Sequence, residues 1–297
     1  MTHLPQLFTP LTIKDLTFKN RIWMSPMCQY SSQNGHPTPW HWVHLGSRAV
    51  GGAGLIMLEA SAVSPEGRIS PDDSGFWSDD HIKSFQPLVE WIKQQGALCG
   101  IQIAHAGRKA STAAPWVGKG VLSLAEGGWQ TIAPSAIAFE DPDYVPKAMN
   151  AADMEKVRND FTGAAIRAVK TGFQVLELHM AHGYLMHQFL SPASNSRTDN
   201  YGGSLENRMR FPLEIAQTVR AQWPEDYPLF VRISATDWAQ GPEELRTIHQ
   251  DARHSNPANP EAWTLQDSLI FCKELKKLGV DLIDCSSGGT FPMPKSL

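Results

Sequence analysis

Two histidines and a tyrosine, His179, His182 and Tyr184, lie close together in "LELHMAHGYLMHQFLSP", residues 176–192. Imidazoles three residues apart admit several chemistries. They can bind zinc if His187 or Glu177 joins them, or they can satisfy backbone groups at a strand end. They can also aim two N–H donors at one oxygen as negative charge develops on it. No H-E-x-x-H motif on a helix accompanies them, so a metal is not expected. A nearby phenol can deliver a proton to carbon. An electrophilic clamp with a proton donor then lacks only a source of electrons, which no side chain provides and a cofactor must carry.

These residues need a strand tip to bring them together. Short β-rich runs alternate with helical patterns along the chain. Strands are expected at "RIWMSPM" from Arg21, "GLIMLEASAV" from Gly54 and "ALCGIQIAH" from Ala97. Three more are expected at "QVLELHMA" from Gln174, "LFVRISAT" from Leu229 and "DLIDCSSG" from Asp281. Helices are expected at "HIKSFQPLVEWIKQQG", closing on Gly96, and at "ADMEKVRNDFTGAAIRAVKTG", with Asp153 as N-cap and Gly172 at the end. Two more open at Ser204 and at Thr264, the latter with Asp267 at the capping-box position and Gly279 as its stop. Strict alternation predicts a parallel sheet with helices outside it. The polar segment 240–262 reads as an inserted surface loop.

Strand parity assigns the faces. In "QVLELHMA", Leu176, Leu178 and Met180 suit packing on helices, which leaves Val175, Glu177 and His179 for the other side. The same rule puts Gln102 and Ala104, then Arg232 and Ser234, on that common side. Polar groups inside a parallel barrel are costly unless satisfied. At the C-terminal ends of barrel strands, a ligand usually satisfies them. His179 and His182 can converge only if the strand ends near Met180 and the chain turns, and Gly183 supports a turn.

The wider composition excludes other classes. The chain has 297 residues, 42% hydrophobic, with a formal net charge of -4. That charge gives no reason to expect nucleic acid or an anionic membrane as a partner. "MTHLPQLFTP" has no signal-peptide pattern, and the apolar run 49–63 is short and interrupted by Glu59. None of Cys28, Cys99, Cys272 and Cys285 forms a C-x-x-C pair, which fits a reducing, cytoplasmic compartment.

The segments "PLTIKDLTFKNRIWMSPMCQYSSQNGHPTPWHWVHLGSRAVGGAGLIMLEASAV", "IQIAHAGRKAS", "LELHMAHGYLMHQFLSPASNSRTDNYGGSLENRMRF" and "VRISATDW" resemble the old yellow enzymes, FMN-dependent ene-reductases, in their thermophilic-like branch. The likeness runs from about residue 5 to 290, and "SNSRTDNYGGSLENR" is its most specific stretch. It implies a (β/α)8-type TIM barrel, an α/β fold, as one FMN-binding domain over residues 1–297. It also implies FMN as cofactor and NADPH as hydride donor. The implied substrate is a small α,β-unsaturated carbonyl compound, and a homo-oligomer is compatible. The matching positions place Ser25, Pro26, Met27, Cys28 and Ala60 against the flavin ring. They place Gln102 on its pyrimidine edge and Arg232 near N1 and O2. His179 and His182 would hold the substrate oxygen, with Tyr184 as proton donor and Tyr30 on the substrate side. Lys109, in a matching "GRK" element, reads equally as a site residue or a solvated lysine.

Six strands are legible, whereas a closed barrel of this type has eight. The chain stops just after the sixth, and the glycines and arginine that the family offers to the FMN phosphate have no counterpart. The alternative expectation is therefore a truncated, inactive fragment unable to retain FMN. A dihydrouridine synthase, also a flavin barrel, would call for a basic RNA-binding face that this slightly acidic chain lacks.

Overall fold

A computed structural model describes residues 5–118, 120–141, 144–238 and 262–291. The insertion expected at 240–262 falls, except for Ala262, outside these residues. The chain opens with an antiparallel hairpin, β1 (Leu11–Ile13) and β2 (Leu16–Phe18). There follow β3 (Trp23–Met24), α1 (Pro39–Val50), β4 (Leu55–Ala62), α2 (Asp80–Gln94) and β5 (Leu98–Ala104). A long connection carries the two-residue pair β6 (Ile132–Ala133) and β7 (Lys147–Ala148). The remaining elements are α3 (Ala151–Thr171), β8 (Val175–Met180), α4 (Leu185–Leu190), α5 (Leu205–Gln222), β9 (Leu229–Ser234), α6 (Leu265–Lys277) and β10 (Leu282–Ser286).

Six strands form one parallel sheet in the order β10-β9-β8-β5-β4-β3. It is the expected α/β arrangement, six strands of a (β/α)8-type barrel with helices on the outer face. Leu176, Leu178 and Met180 join the large core against the helices, together with Ile101, Ile103, Val231 and Ile233. The inner face at the N-terminal end holds a second cluster, in which Phe18 of the hairpin packs on Leu55, Met57, Val175 and Phe230. The hairpin therefore plugs the bottom and leaves polar side chains to the C-terminal mouth.

Several elements differ from expectation for local reasons. The first strand is only Trp23–Met24, because Pro26 has no N–H to donate to a ladder. The N-cap of α3 is Asn150, whose side chain accepts from the Asp153 N–H; Asp153 answers from the third helical position as the other half of a capping box. An acid three residues into a helix reads like a cap when the true cap is an equally suitable asparagine. Helix α1 was not expected, since tryptophan, histidine and valine are weak helix formers. It is organised by Thr38 as N-cap, Pro39 after it, and the His41 ring accepting the Thr38 N–H at 2.9 Å. Ser204 and Thr264 cap α5 and α6 as expected.

A bulge in β4 matters for the site. Leu58 pairs with Ile101, but the next pair is Ala60 with Gln102, so Glu59 is the extra residue. The shift resets parity and puts Ala60 in register with Gln102. The run 195–203 is tied by its own polar groups: Asn195 Nδ2 donates to the carbonyls of Phe189 and Tyr201, and Arg197 Nη1 to those of Pro134 and Met149. The most specific stretch of the sequence is thus a structural clasp between α4, α5 and the β6–β7 pair. Among the described residues no helix is long and apolar enough to cross a membrane.

Candidate active site at the C-terminal mouth

Strand β8 ends at Met180, and the chain turns through His182 and Gly183, both with positive φ, 59° and 71°. The turn brings the histidines together across their odd spacing, with His179 Nε2 3.3 Å from His182 Nδ1. Their hydrogen bonds fix the tautomers. His179 Nδ1 accepts from the Ala181 N–H at 3.2 Å, so the proton of a neutral His179 is on Nε2, facing His182 Nδ1. The proton of His182 is then on Nε2, which donates to Ser286 Oγ at 2.6 Å. Burial, followed by the nearby cationic groups, lowers both imidazoles, His182 to about 4 and His179 well below the usual value. Each ring therefore carries one N–H at neutral pH, and both donors are engaged within the protein until a ligand redirects them.

Tyr184 follows as the N-cap of α4, its ring edge-on to His179 with centroids 4.9 Å apart. Burial, with Cys28, Tyr30 and Asp73 nearby, pushes its phenol well above the ordinary range, so it holds its proton. Lys109 lies in the site. Its Nζ donates to the carbonyls of His182 (2.9 Å) and Gly289 (3.1 Å), and burial with Arg108 alongside lowers it to about 7.

The floor of the mouth is lined by polar side chains from four adjacent strands. Gln102 pairs with Glu177 across β5 and β8, and Arg232 of β9 pairs with His179 on one side and Asp284 on the other. Gln102 Nε2 donates to Glu177 Oε1 at 2.7 Å. Arg232 Nε is 3.3 Å from Asp284 Oδ2 yet, though buried, makes no hydrogen bond. Burial first, and then Asp284, raise Glu177 to about 8.

The loop after β3 forms the opposite wall. Ser25 and Met27 are exposed, Pro26 is buried, and Cys28 and Tyr30 are half-buried. The bulged Glu59 anchors this loop. It accepts the Gln29 N–H with one oxygen and His41 Nε2 with the other, the latter at 2.8 Å. Burial, together with Asp73 and Glu59, keeps Cys28 a protonated thiol, which hydrogen-bonds with Tyr30. Tyr30 in turn has φ of 46° and meets Trp116 edge-on. The structure brings Gln102, His179, His182, Tyr184 and Arg232 together at the strand tips, with Ala60, Cys28 and Tyr30 near Tyr184, while Ser25 and Met27 lie exposed and Met27 borders a separate hollow with His41 and His44.

Sequence reasoning passed over Asp284, Ser286, Glu59 and Asp73. Parity along "LIDCS" could have aligned Asp284 with Arg232, and Glu59 was visible as the lone acid in an apolar run. Asp237 was also missed. It pairs with His187 at 3.0 Å and accepts from Ser191 and Thr290 at 2.6 Å, all fully buried behind the turn. His187 is therefore part of the scaffold.

The residues present fit the ring of a flavin. A buried, unbonded guanidinium N–H suits an acceptor-rich heterocycle that gathers negative charge on reduction. Gln102 offers an amide beside it, which can pair with the donor and acceptor groups of such a ring's edge.

Residues 6–256 match the family model described as the NADH:flavin oxidoreductase / NADH oxidase family. The chain is 48% identical over 285 residues to an NADPH dehydrogenase of Bacillus subtilis, covering 95% of this chain and 73% of that protein. It is 47% identical over 291 residues to an NADH:flavin oxidoreductase of Gibberella zeae, covering 97% of this chain and 68% of the relative. The structure of an old yellow enzyme homologue from Zymomonas mobilis aligns with a TM-score of 0.76 at 28% identity, over 95% of this chain and 73% of that one. Morphinone reductase in complex with tetrahydroNAD aligns at 0.75 and 28%, over 95% and 74%. These likenesses run through nearly the whole chain, and the inert-fragment alternative finds no support in them.

Proposed function

The chain belongs to the NADH:flavin oxidoreductase / NADH oxidase family, that of the old yellow enzymes, and from this premise we propose that it reduces the C=C bond of small α,β-unsaturated carbonyl compounds. It is a flavin oxidoreductase of the NADPH dehydrogenase type, with FMN as cofactor and NADPH as reductant. When bound, FMN supplies the two-electron chemistry that side chains lack. We assign residues 1–297 to one FMN-binding domain. Ser25, Pro26, Met27, Cys28 and Ala60 would lie against the ring, with Gln102 and Arg232 toward its pyrimidine side.

The observation that carries the proposal is the triad at the β8 tip: two neutral imidazoles in contact and a phenol edge-on to one of them. The N–H groups on His179 Nε2 and His182 Nε2 rotate from their internal partners onto the substrate's carbonyl oxygen. There they stabilise the charge that builds as the double bond is reduced. Tyr184 holds its proton until the α-carbon becomes basic enough to take it. Tyr30 and Cys28 border the substrate from the other wall. The cysteines are all free thiols among the described residues, which supports a reducing, cytoplasmic setting.

The test is anaerobic turnover of the purified chain with FMN, NADPH and 2-cyclohexenone. Cyclohexanone formed in step with NADPH consumption supports the assignment. NADPH oxidised only when oxygen is admitted, with the enone recovered intact, overturns it.

A further inference from the structure

The turn that carries His182 and Tyr184 has two forms open to it, and the side chains behind it choose between them. The Tyr184 N–H donates to the Ala181 carbonyl at 3.1 Å across His182 and Gly183, whose φ angles are 59° and 71°. Positive φ at both central residues marks a type I′ turn. Turning over the central peptide, between His182 and Gly183, would leave positive φ at His182 alone, which is type II′. The turn by itself permits this, because glycine takes either sign of φ and the Ala181–Tyr184 bond is kept. The inverted peptide would exchange its N–H and its C=O.

Both ends of that peptide are held in the observed sense. Its carbonyl, that of His182, accepts Lys109 Nζ at 2.9 Å, and its N–H, that of Gly183, donates to His187 Nδ1 at 2.9 Å. A neutral imidazole accepts at Nδ1 only while its hydrogen is on Nε2. His187 Nε2 lies 3.0 Å from Asp237 Oδ1. The same carboxylate takes the Ser191 and Thr290 hydroxyls and the Trp263 N–H, so it faces donors throughout and holds the ring hydrogen on Nε2. His187 is fully buried, and no water can stand in for its ring nitrogen. Inverting the peptide would set a carbonyl oxygen against the Nδ1 lone pair and an N–H against the lysine, two mismatched pairs at once.

We propose that His187 is a positioning residue for the reaction assigned above: its Nδ1, kept an acceptor by Asp237, locks the turn in the form that sets His182 against His179 with Tyr184 beside them. This rests on the reading of those three residues as the substrate clamp. His187 acts from behind the turn, through the Gly183 N–H.

Two variants separate this role from a merely structural one. His187→Asn keeps an acceptor, because an asparagine Oδ1 stands where the histidine Nδ1 does, whereas His187→Leu has none. Both forfeit the bond to Asp237, so a role confined to that buried pair would damage both alike. Titration of 4-hydroxybenzaldehyde into the FMN-loaded enzyme, read by flavin absorbance, should show His187→Leu weakened by about tenfold or more, the worth of one hydrogen bond. His187→Asn should stay within about threefold of the wild type. Equal weakening in the two variants, or full affinity in His187→Leu, overturns the proposal. Should His187→Leu fail to fold, the wild-type chain still decides. Long-range proton–nitrogen NMR correlation of its histidine rings, without cofactor and with His187 assigned from His187→Asn, should find the hydrogen on Nε2; a hydrogen on Nδ1 overturns the proposal. His179→Leu tests the clamp separately. If it binds the phenol as the wild type does, the clamp reading fails and takes this proposal with it, whereas a clamp that needs His179 but ignores His187→Leu overturns this proposal alone.

Discussion

At the scale of single residues, the site is built from groups whose neighbours hold them in one protonation state. Burial keeps the Tyr184 phenol and the Cys28 thiol protonated and the two imidazoles neutral. A proton donor that never ionises is useful only against a strong base, such as a developing carbanion. Tyr184→Phe removes the proton and almost nothing else from the cavity. It should slow enone-dependent reoxidation of the reduced cofactor by about 10²–10⁴-fold, the usual worth of general acid catalysis. NADPH-driven reduction in the same variant should be nearly unchanged. Stopped-flow absorbance separates the two steps, and equal losses in both would assign Tyr184 a structural role. His179, His182, Tyr184, Gln102 and Arg232 were legible as chemistry because polar side chains at inward strand positions are conspicuous. The tautomer relay through Ser286 was not, since it depends on a residue more than a hundred positions away in sequence.

At the scale of elements, the β8–α4 turn and the loop after β10 are interlocked. A Cβ on Gly183 would lie 2.0 Å from the Gly289 carbonyl oxygen, and one on Gly289 would lie 2.4 Å from the His182 carbonyl carbon. Lys109, in the short helical turn 107–109 after β5, joins the same two loops. Both glycines also have positive φ, which adds strain to any side chain placed there. Gly183→Ala should therefore force the loops apart and displace His182 from His179. We expect a loss of roughly 2–4 kcal/mol in stability, from left-handed strain plus overpacking. Binding of a phenolic ligand should weaken by tenfold or more, about the value of one hydrogen bond. Thermal unfolding and ligand titration check the two effects; a fully stable variant with intact binding would mean that the loops yield freely. The helices and strands themselves were largely readable from periodicity and caps. Helix α1 escaped because its determinants, Thr38, Pro39 and the His41 ring, override a composition poor in helix formers.

At the scale of the whole molecule, the folded state resists protonation of its buried histidines. His182 titrates at about 4 in the fold, against an ordinary value near 6.5. Between these values the unfolded chain binds a proton that the folded chain does not, so this group makes stability rise with pH over that window. Its contribution is lost as pH falls from 6.5 to 4. His105, also lowered to about 4 by burial, acts in the same direction. Glu177 and Asp73, raised to about 8 and 7 chiefly by burial, act oppositely as pH rises toward neutrality and above. The difference between two chains isolates one group: His182→Gln should flatten the acid limb of melting temperature against pH between 6.5 and 4. An identical slope in both chains would show that His182 is not held neutral by the fold.

The sequence by itself determined the alternation of strand and helix, the inward and outward faces, and hence the presence of Gln102, Glu177, His179 and Arg232 on one wall. Those features follow from a period of two along a strand and from the cost of burying polar groups, both local properties. Only the tertiary structure decided which of these groups meet. Register across β5, β8, β9 and β10 set Glu177 on Gln102 and Asp284 beside Arg232, and the bulge at Glu59 aligned Ala60 with them. Two left-handed residues at the β8 tip brought His182 back onto His179. Register and turn geometry arise from packing between segments far apart in the chain, where the pattern within any one segment carries no information about its neighbour.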